Sequence, residues 1–297
     1  MKIGFVGLGK MGLNLSLSMM DKGHKLIAYD ITPPSYKELK KLKLTCTSSL
    51  SKLIELLPSP KIVWLMLPSG IATSSTLKEL LNTLEKGSIV IDAGNSHFKD
   101  SIKRFEEFKT KQIYFLDCGT SGGIAGAKKG ACMMFGGDKI AYDIVEPIIK
   151  DICVPNGFGY IGKSGSGHFT KMIHNGIEYG MMGAIAEGME ALKTSDFKIS
   201  LSEVSRIYSN GSIIESKLMS LVNKSFQKEN YLDQISGVVP KGETEDKMRY
   251  LVKNTNMVLL KKSILMRVQT RKKESFAGKI ISAMRNQFGG HSTNKKK

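Results

Sequence analysis

Cysteine is scarce. Cys46, Cys118, Cys132 and Cys153 are scattered through 297 residues without close pairing. Such spacing excludes a disulfide scaffold and offers no paired metal ligands. We expect reduced thiols in a cytoplasmic protein with no metal site. Long apolar runs are missing as well. The longest, such as KIVWLML at 61–67, fall far short of the roughly 20 residues that a membrane-spanning helix needs, so no membrane partner is expected. The opening MKIGFVGLG lacks the apolar stretch and small-residue cleavage site of a signal peptide, and reads as a strand and turn. Acidic residues are few: 27 against 44 Lys and Arg, a formal net charge of +17. A nucleic-acid partner is one reading of that excess. However, the charge is spread over KELKKLK (37–43), Lys261–Lys262, RKK (271–273) and the terminal NKKK. No RNA-binding signature or zinc-finger spacing accompanies it. A lysine-rich solvated surface fits better, with no nucleic-acid partner and a field that favours an anionic small-molecule substrate.

The chain has two rhythms. Up to about residue 160, short apolar runs alternate with helical stretches: KIGFVGLG (2–9), KLIAYD (25–30), KIVWLML (61–67), SIVIDAG (88–94) and IYFLD (113–117) read as buried strands. This predicts an α/β fold, a Rossmann-type doubly wound parallel sheet. Beyond it, 165–193, 243–270 and 276–288 contain few turn breakers and read as helices. We therefore expect a nucleotide-binding domain over 1–164 and an all-α substrate and dimerisation domain over 165–297, entered by a long helix and ending in a disordered tail at 290–297. No internal repeat is present.

GLGKMG (7–12) is a G-x-G-x-x-G placed directly after a strand and opening a helix. In that context Gly7 permits the turn, Gly9 lets a pyrophosphate approach the backbone, Gly12 lets helix and strand pack, and Lys10 lies in the same loop. Asp30 ends the second strand, where a carboxylate can accept from both adenosine ribose hydroxyls and would repel a 2′-phosphate. The expected cofactor is NAD rather than NADP. Ligands of such sheets lie beyond the carboxyl ends of the strands. MLPSG (66–70) brings Leu67 and Pro68 there, DAGNSHFKDS (92–101) brings Asn95 and Ser96, and DCGTSGGIAG (117–126) brings Ser121, Gly122 and Gly123. Leu67, Pro68 and Asn95 join the cofactor set. Asn95 and Ser96 can also hydrogen-bond a substrate, and Ser121, Gly122 and Gly123 could cradle a carboxylate.

KMIHNGIEYG (171–180) places four polar side chains on one helical stripe. At about 100° per residue, His174 falls near −60°, Asn175 near +40° and Glu178 near −20° from Lys171, with Ile173 and Ile177 opposite. A solvated stripe would repeat Lys and Glu; one each of Lys, His, Asn and Glu reads as a built site. Beside a nicotinamide, Lys171 suits the general base that deprotonates an alcohol, then the acid that supports the new carbonyl. A carboxylate β to that carbonyl could leave as CO2, and Glu178 would protonate the resulting enediol. Asn175 and His174 would orient substrate or Lys171.

GLGKMGLNL, DAGNS, TSGGIAGAKKG, GHFTKMIHNGIEYGMM and AMRNQFGGHS together resemble the short-form 6-phosphogluconate dehydrogenases, decarboxylating, of the β-hydroxyacid dehydrogenase superfamily. The resemblance runs from residue 1 to about 292. It implies NAD-dependent oxidative decarboxylation of 6-phosphogluconate, with Lys171 as base and acid and Glu178 as the acid protonating C1. It also implies substrate contacts from Asn95, Ser121, Gly122, Gly123, His174, Asn175, Tyr179 and Arg267, and places Met11 against the nicotinamide. Arg285 and His291 resemble a pair that the partner subunit supplies in a homodimer or homotetramer. One loop departs from the family. After SGVVPKGE (236–243), members carry a small residue, a Lys or Arg and a Trp-containing stretch that helps hold phosphate; this chain has TEDKMRY (244–250), acidic where a base is expected. Lys241 or Lys247 would have to compensate, and the identity of the sugar acid stays open. The alternatives are another β-hydroxyacid dehydrogenase, acting on an unphosphorylated hydroxy acid or semialdehyde, and a non-catalytic basic nucleotide- or nucleic-acid-binding protein.

Overall fold

The computed structural model describes residues 1–293. It divides into two compact units, Met1–Lys171 and the residues from Met172 onward. In the first unit the order is β1 (Lys2–Val6), α1 (Lys10–Asp21), β2 (Lys25–Tyr29), α2 (Tyr36–Leu42), β3 (Thr45–Cys46), α3 (Leu50–Glu55), β4 (Ile62–Leu65) and α4 (Ile71–Thr83). It continues through β5 (Ile89–Asp92), α5 (Phe98–Thr110), β6 (Tyr114–Ser121), α6 (Gly123–Lys129), β7 (Ala131–Gly137), α7 (Lys139–Ile152), β8 (Cys153–Gly162) and the start of α8 (Ser166–Thr194).

The strands form one eight-stranded sheet in the order β3-β2-β1-β4-β5-β6-β7-β8. Successive side chains of a strand point to opposite faces, and both faces are covered. Ile62 and Trp64 of β4 join Phe5, Ile91 and Phe135 in a core with Leu15 of α1 and Val145 of α7. Val63 and Leu65 of β4 join Val6, Val90 and Phe115 in the other core, with Leu53, Leu80 and Phe108. This is the doubly wound α/β arrangement, and its order reverses between β1 and β4, the switch point where such sheets bind ligands. Five strands coincide with the apolar runs of the sequence. The other three escaped notice for physical reasons: β3 has two residues, while β7 (ACMMFGG) and β8 (CVPNGFGYIG) carry Gly, Pro and few β-branched residues. In addition, β7 runs antiparallel to β6, whereas all the other pairs are parallel.

Under the β5 end lies a buried ion pair. Arg104 Nη1 donates to Asp92 Oδ2 at 3.0 Å and to Ser96 Oγ at 2.9 Å, and its Nη2 donates to Ser74 at 3.0 Å. Removing one partner strands the other charge in the core. Arg104→Met is therefore expected to cost about 3–5 kcal/mol in urea unfolding, and Asp92→Asn combined with it to recover part of the loss. A single-variant loss under about 1 kcal/mol would mean that Asp92 finds water instead.

The second unit takes the rest of α8, then α9 (Leu201–Tyr208), α10 (Lys217–Phe226), a 3-10 turn at Leu232–Gln234, α11 (Glu245–Asn254), α12 (Val258–Thr270) and α13 (Phe276–Gly289). The segment 243–270, expected to be helical, is two helices, α11 and α12. Thr255 leaves the helical region at φ −144°, ψ 160°, and Thr255-Asn256 supplies side chains that compete with helical bonding. The tail expected to be disordered from residue 290 is partly defined. Gly290 caps α13 in the left-handed region, and Asn286 Nδ2 donates to the His291 carbonyl at 2.8 Å. The remainder of that expectation, 294–297, lies outside the described residues. Among the described residues no helix is long and apolar enough to cross a membrane.

Candidate active site

The first unit holds the dinucleotide loop. At Gly12 a Cβ would come 2.0 Å from the Gly7 carbonyl oxygen, so only glycine lets α1 leave β1 at this angle. Around Gly9, in contrast, an added Cβ would meet nothing within 4 Å. The helix start is therefore open on the side from which a pyrophosphate would approach, with Gly9 as an N-cap that makes no side-chain bond. Asp30 Oδ2 accepts from the Leu8 N–H at 2.5 Å and Oδ1 from Thr32 N–H at 2.7 Å. The carboxylate is thereby fixed at the β2 end, beside the loop. These residues fit a pyridine dinucleotide.

The start of α8 is laid onto β6 by groups that the sequence reading did not single out. The buried Asp117 carboxylate accepts from Gly165 N–H at 2.6 Å and His168 N–H at 2.8 Å, so a β6 side chain satisfies the orphan donors of the helix. His168 Nδ1 lies 2.7 Å from Ser101 Oγ. At Gly119 a Cβ would stand 2.4 Å from the Lys171 Cβ, so the missing side chain is what admits Lys171. Lys171 is thus set against the strand that ends in Ser121. Gly122 and Gly123 follow at positive φ, 106° and 62°. Ser96, expected beside Asn95 as a substrate contact, instead spends its hydroxyl on Asp92 at 2.7 Å and is buried. Its neighbour Asn95 is half-buried, as are Leu67, Met11 and Ser121. Pro68 and Lys10 are exposed, and the Pro68 carbonyl accepts from Thr73 at 2.7 Å.

Along α8 the burial is the reverse of a solvated stripe. Asn175 is buried and His174 and Glu178 are half-buried, while Ile177 opposite is 55% exposed. His174 Nδ1 lies 3.2 Å from Asn175 Oδ1 and 3.9 Å from Glu178 Oε2.

In the second unit, Tyr179 is buried beneath the guanidinium of Arg267, which lies 3.5 Å from its ring centroid. Arg267 is 3% exposed. Its Nη2 meets Met182 Sδ at 3.7 Å, its Nε has no hydrogen-bond partner, and no carboxylate pairs with it among the described residues. Its pKa is lowered to about 10, chiefly by burial, with Tyr179 opposing the fall and Arg285 adding to it. Arg285 is buried too, its pKa lowered chiefly by burial, and Nη1 donates to the Pro240 carbonyl at 3.3 Å. Two buried guanidiniums without carboxylate partners among the described residues could receive an anion. Arg285 lies in the same unit as Tyr179 and Arg267. His291 packs edge-on against Phe288, with ring centroids 6.0 Å apart.

The acidic loop also differs from expectation. Glu245 is buried and gripped by Arg271 and, at 2.8 Å, by Arg249; Asp246 is the residue that pairs with Lys241, at 2.8 Å. Both carboxylates thus have cationic partners: Arg271 and Arg249 neutralise Glu245, and Lys241 neutralises Asp246. No cluster of side chains suited to a metal ion occurs among the described residues.

Comparison with known proteins agrees with this geometry. Residues 2–162 match the model of the NAD binding domain of 6-phosphogluconate dehydrogenase, and residues 167–195 that of the 6-phosphogluconate dehydrogenase C-terminal domain. The chain is 45% identical over 298 residues to "Putative 6-phosphogluconate dehydrogenase YqeC" of Bacillus subtilis (strain 168), covering 100% of both. It is 34% identical to the NAD(+)-dependent, decarboxylating 6-phosphogluconate dehydrogenase of Haloferax volcanii, covering 100% of this chain and 99% of that one. The Plasmodium falciparum 6-phosphogluconate dehydrogenase structure superposes with a TM-score of 0.76 at 29% identity, over 96% of this chain and 70% of that one. A Mycobacterium tuberculosis 3-hydroxyisobutyrate dehydrogenase shares the fold, with a TM-score of 0.69 at 17% identity. With a dinucleotide loop, an inward polar stripe and full-length similarity all in agreement, this chain belongs to the 6-phosphogluconate dehydrogenase family, oxidoreductases with a pyridine-nucleotide-binding domain.

Proposed function

We propose that this chain oxidises and decarboxylates 6-phosphogluconate with NAD, yielding ribulose 5-phosphate, CO2 and NADH. The carrying observation is the buried pair Arg267 and Arg285. Each charge is held out of water without a carboxylate among the described residues, an arrangement that is costly until a dianion such as a phosphate monoester enters. An unphosphorylated hydroxy acid brings one carboxylate charge for two guanidiniums.

In this reading Lys171, as the neutral amine, takes the proton of the C3 hydroxyl. A bound nicotinamide supplies the acceptor for the C3 hydride. The lysine, now protonated, hydrogen-bonds the C3 carbonyl oxygen and stabilises the negative charge that gathers there as the C1–C2 bond breaks and CO2 departs. Glu178 then delivers a proton to the enediol carbon, which is C1 of the product. His174 and Asn175, with Asn95, Ser121, Gly122 and Gly123, orient the sugar acid, and Tyr179 meets its phosphate together with the two arginines. Asp30 supports NAD, because a second negative group beside its carboxylate would be repelled. Four free thiols suit a reducing cytoplasm. Exposed Ile177 and Met181 on α8 suit a homo-oligomer.

The experiment is absorbance at the reduced-nicotinamide band with purified protein, 6-phosphogluconate and either NAD or NADP, with CO2 trapped. Turnover with NAD and one CO2 per NADH is the expected result. Preference for NADP would overturn the cofactor choice alone. Silence with both, and turnover of an unphosphorylated hydroxy acid, would overturn the substrate.

A further inference from the structure

Thr244 and Glu245 occupy the first positions of α11, where the family resemblance led us to expect a base. Their side chains do not behave as an ordinary helix start. A threonine at an N-cap normally accepts from an N–H one turn on; Thr244 makes no such bond. Its hydroxyl lies 3.0 Å from the Tyr179 phenol instead. A local rule is broken here, and what replaces it reaches the ring on which Arg267 sits.

Glu245 explains how that hydroxyl is held. It is 2% exposed, and Arg271 and Arg249 clasp it from α12's end and from one turn along α11. Arg271 also donates through Nε to the Val239 carbonyl at 3.0 Å, while Val239 N–H donates to Thr270 at 2.9 Å. The Pro240 carbonyl is taken by Arg285 at 3.3 Å. One carboxylate therefore anchors the loop 236–244 at its far end, and the same loop touches Tyr179 and Arg285. Burial opposes ionisation of Glu245, but the two arginines outweigh it and keep its pKa below the usual range.

We propose that Glu245 and Thr244 are positioning residues of the anion site: Glu245, clasped by Arg271 and Arg249, fixes the loop so that the Thr244 hydroxyl holds the Tyr179 ring under Arg267. The chain so keeps a site for a phosphate monoester dianion without the basic loop residue of its relatives. This rests on the reading that Arg267 and Arg285 receive the substrate phosphate.

The test uses the full-length protein and three variants, Thr244→Val, Thr244→Ser and Glu245→Gln. Thr244→Val removes only the hydroxyl, and should raise KM for 6-phosphogluconate about fivefold, the worth of one net hydrogen bond. Its kcat and its KM for NAD should stay within about twofold, and Thr244→Ser should restore the wild-type KM. Glu245→Gln should move KM in the same direction and further. If that variant does not fold, the two threonine variants decide alone. A wild-type KM in Thr244→Val overturns the proposal, as does a common fall of kcat and NAD affinity with a lowered Tm. Inorganic phosphate gives a second readout that needs no turnover: it should raise the Tm of the wild type more than that of Thr244→Val. If the wild type responds in this way yet does not turn over 6-phosphogluconate, the substrate reading fails and the positioning role stands. Equal responses, or none in the wild type, overturn the positioning role itself.

Discussion

Lys171→Met is expected to lower kcat at least about 10³-fold, because one side chain serves as base in the oxidation and as acid in the decarboxylation. The dissociation constant for NAD should change by less than about twofold, since the dinucleotide loop lies elsewhere on the sheet. Methionine keeps the unbranched stem that packs over Gly119, so the helix start need not move. Single-turnover absorbance separates chemistry from product release, and an NAD titration of the same variant reports whether the nucleotide site is intact. Residual turnover above a few per cent of wild type would remove Lys171 from the proton transfers. The converse substitution acts on position rather than chemistry. Gly119→Ala would put a carbon 2.4 Å from the Lys171 Cβ, displacing the base without altering it.

The nucleotide domain was legible because two independent periodicities coincide in it: short apolar strands and a glycine loop set between strand and helix. Asp30 was legible for the same reason, as the last residue of a strand whose end was visible. The polar stripe on α8 could be read from spacing alone, since 3.6-residue geometry needs no partner to predict a face. What spacing cannot give is the partner across the fold. Asp117, which caps α8 from β6, stands in DCGTSGG as one more acidic residue, and Gly119 as one more glycine. Their roles depend on a helix 48 residues later in the chain meeting that carboxylate. Ser96 went the other way: adjacent to Asn95, it looked like a ligand, but Arg104 and Asp92 claim it. Glu245 is the sharpest case. Sequence placed a negative charge where a positive one was expected, and only the fold brings Arg271, 26 residues away, to cancel it.

Arg267→Met should have opposite effects on function and on folding. The guanidinium is buried against a ring and a thioether, with no carboxylate among the described residues. The fall of its pKa to about 10 corresponds to roughly 3 kcal/mol by which the folded chain disfavours the charge. Methionine removes that charge and fills much of the same volume beside Met182 and the Tyr179 ring, where sulfur is well accepted. Urea unfolding at neutral pH should therefore find the variant no less stable than the wild type, and by the buried-charge argument more stable by about 1–3 kcal/mol. The sign against pH follows. A cation whose folded pKa is depressed leaves the folded chain holding fewer protons than the unfolded chain between about 10 and the ordinary guanidinium value, so wild-type stability gains on that of the variant as pH rises through this window. Function moves the other way. Loss of two or more charge-assisted bonds to a phosphate should raise KM for 6-phosphogluconate by about 10²-fold or more, with NAD binding unaffected. A stability loss of several kcal/mol together with an unchanged KM would make Arg267 a structural cation that the protein pairs by other means. A stability gain together with a lost KM would identify the site as one that holds its charge at a cost until the substrate arrives.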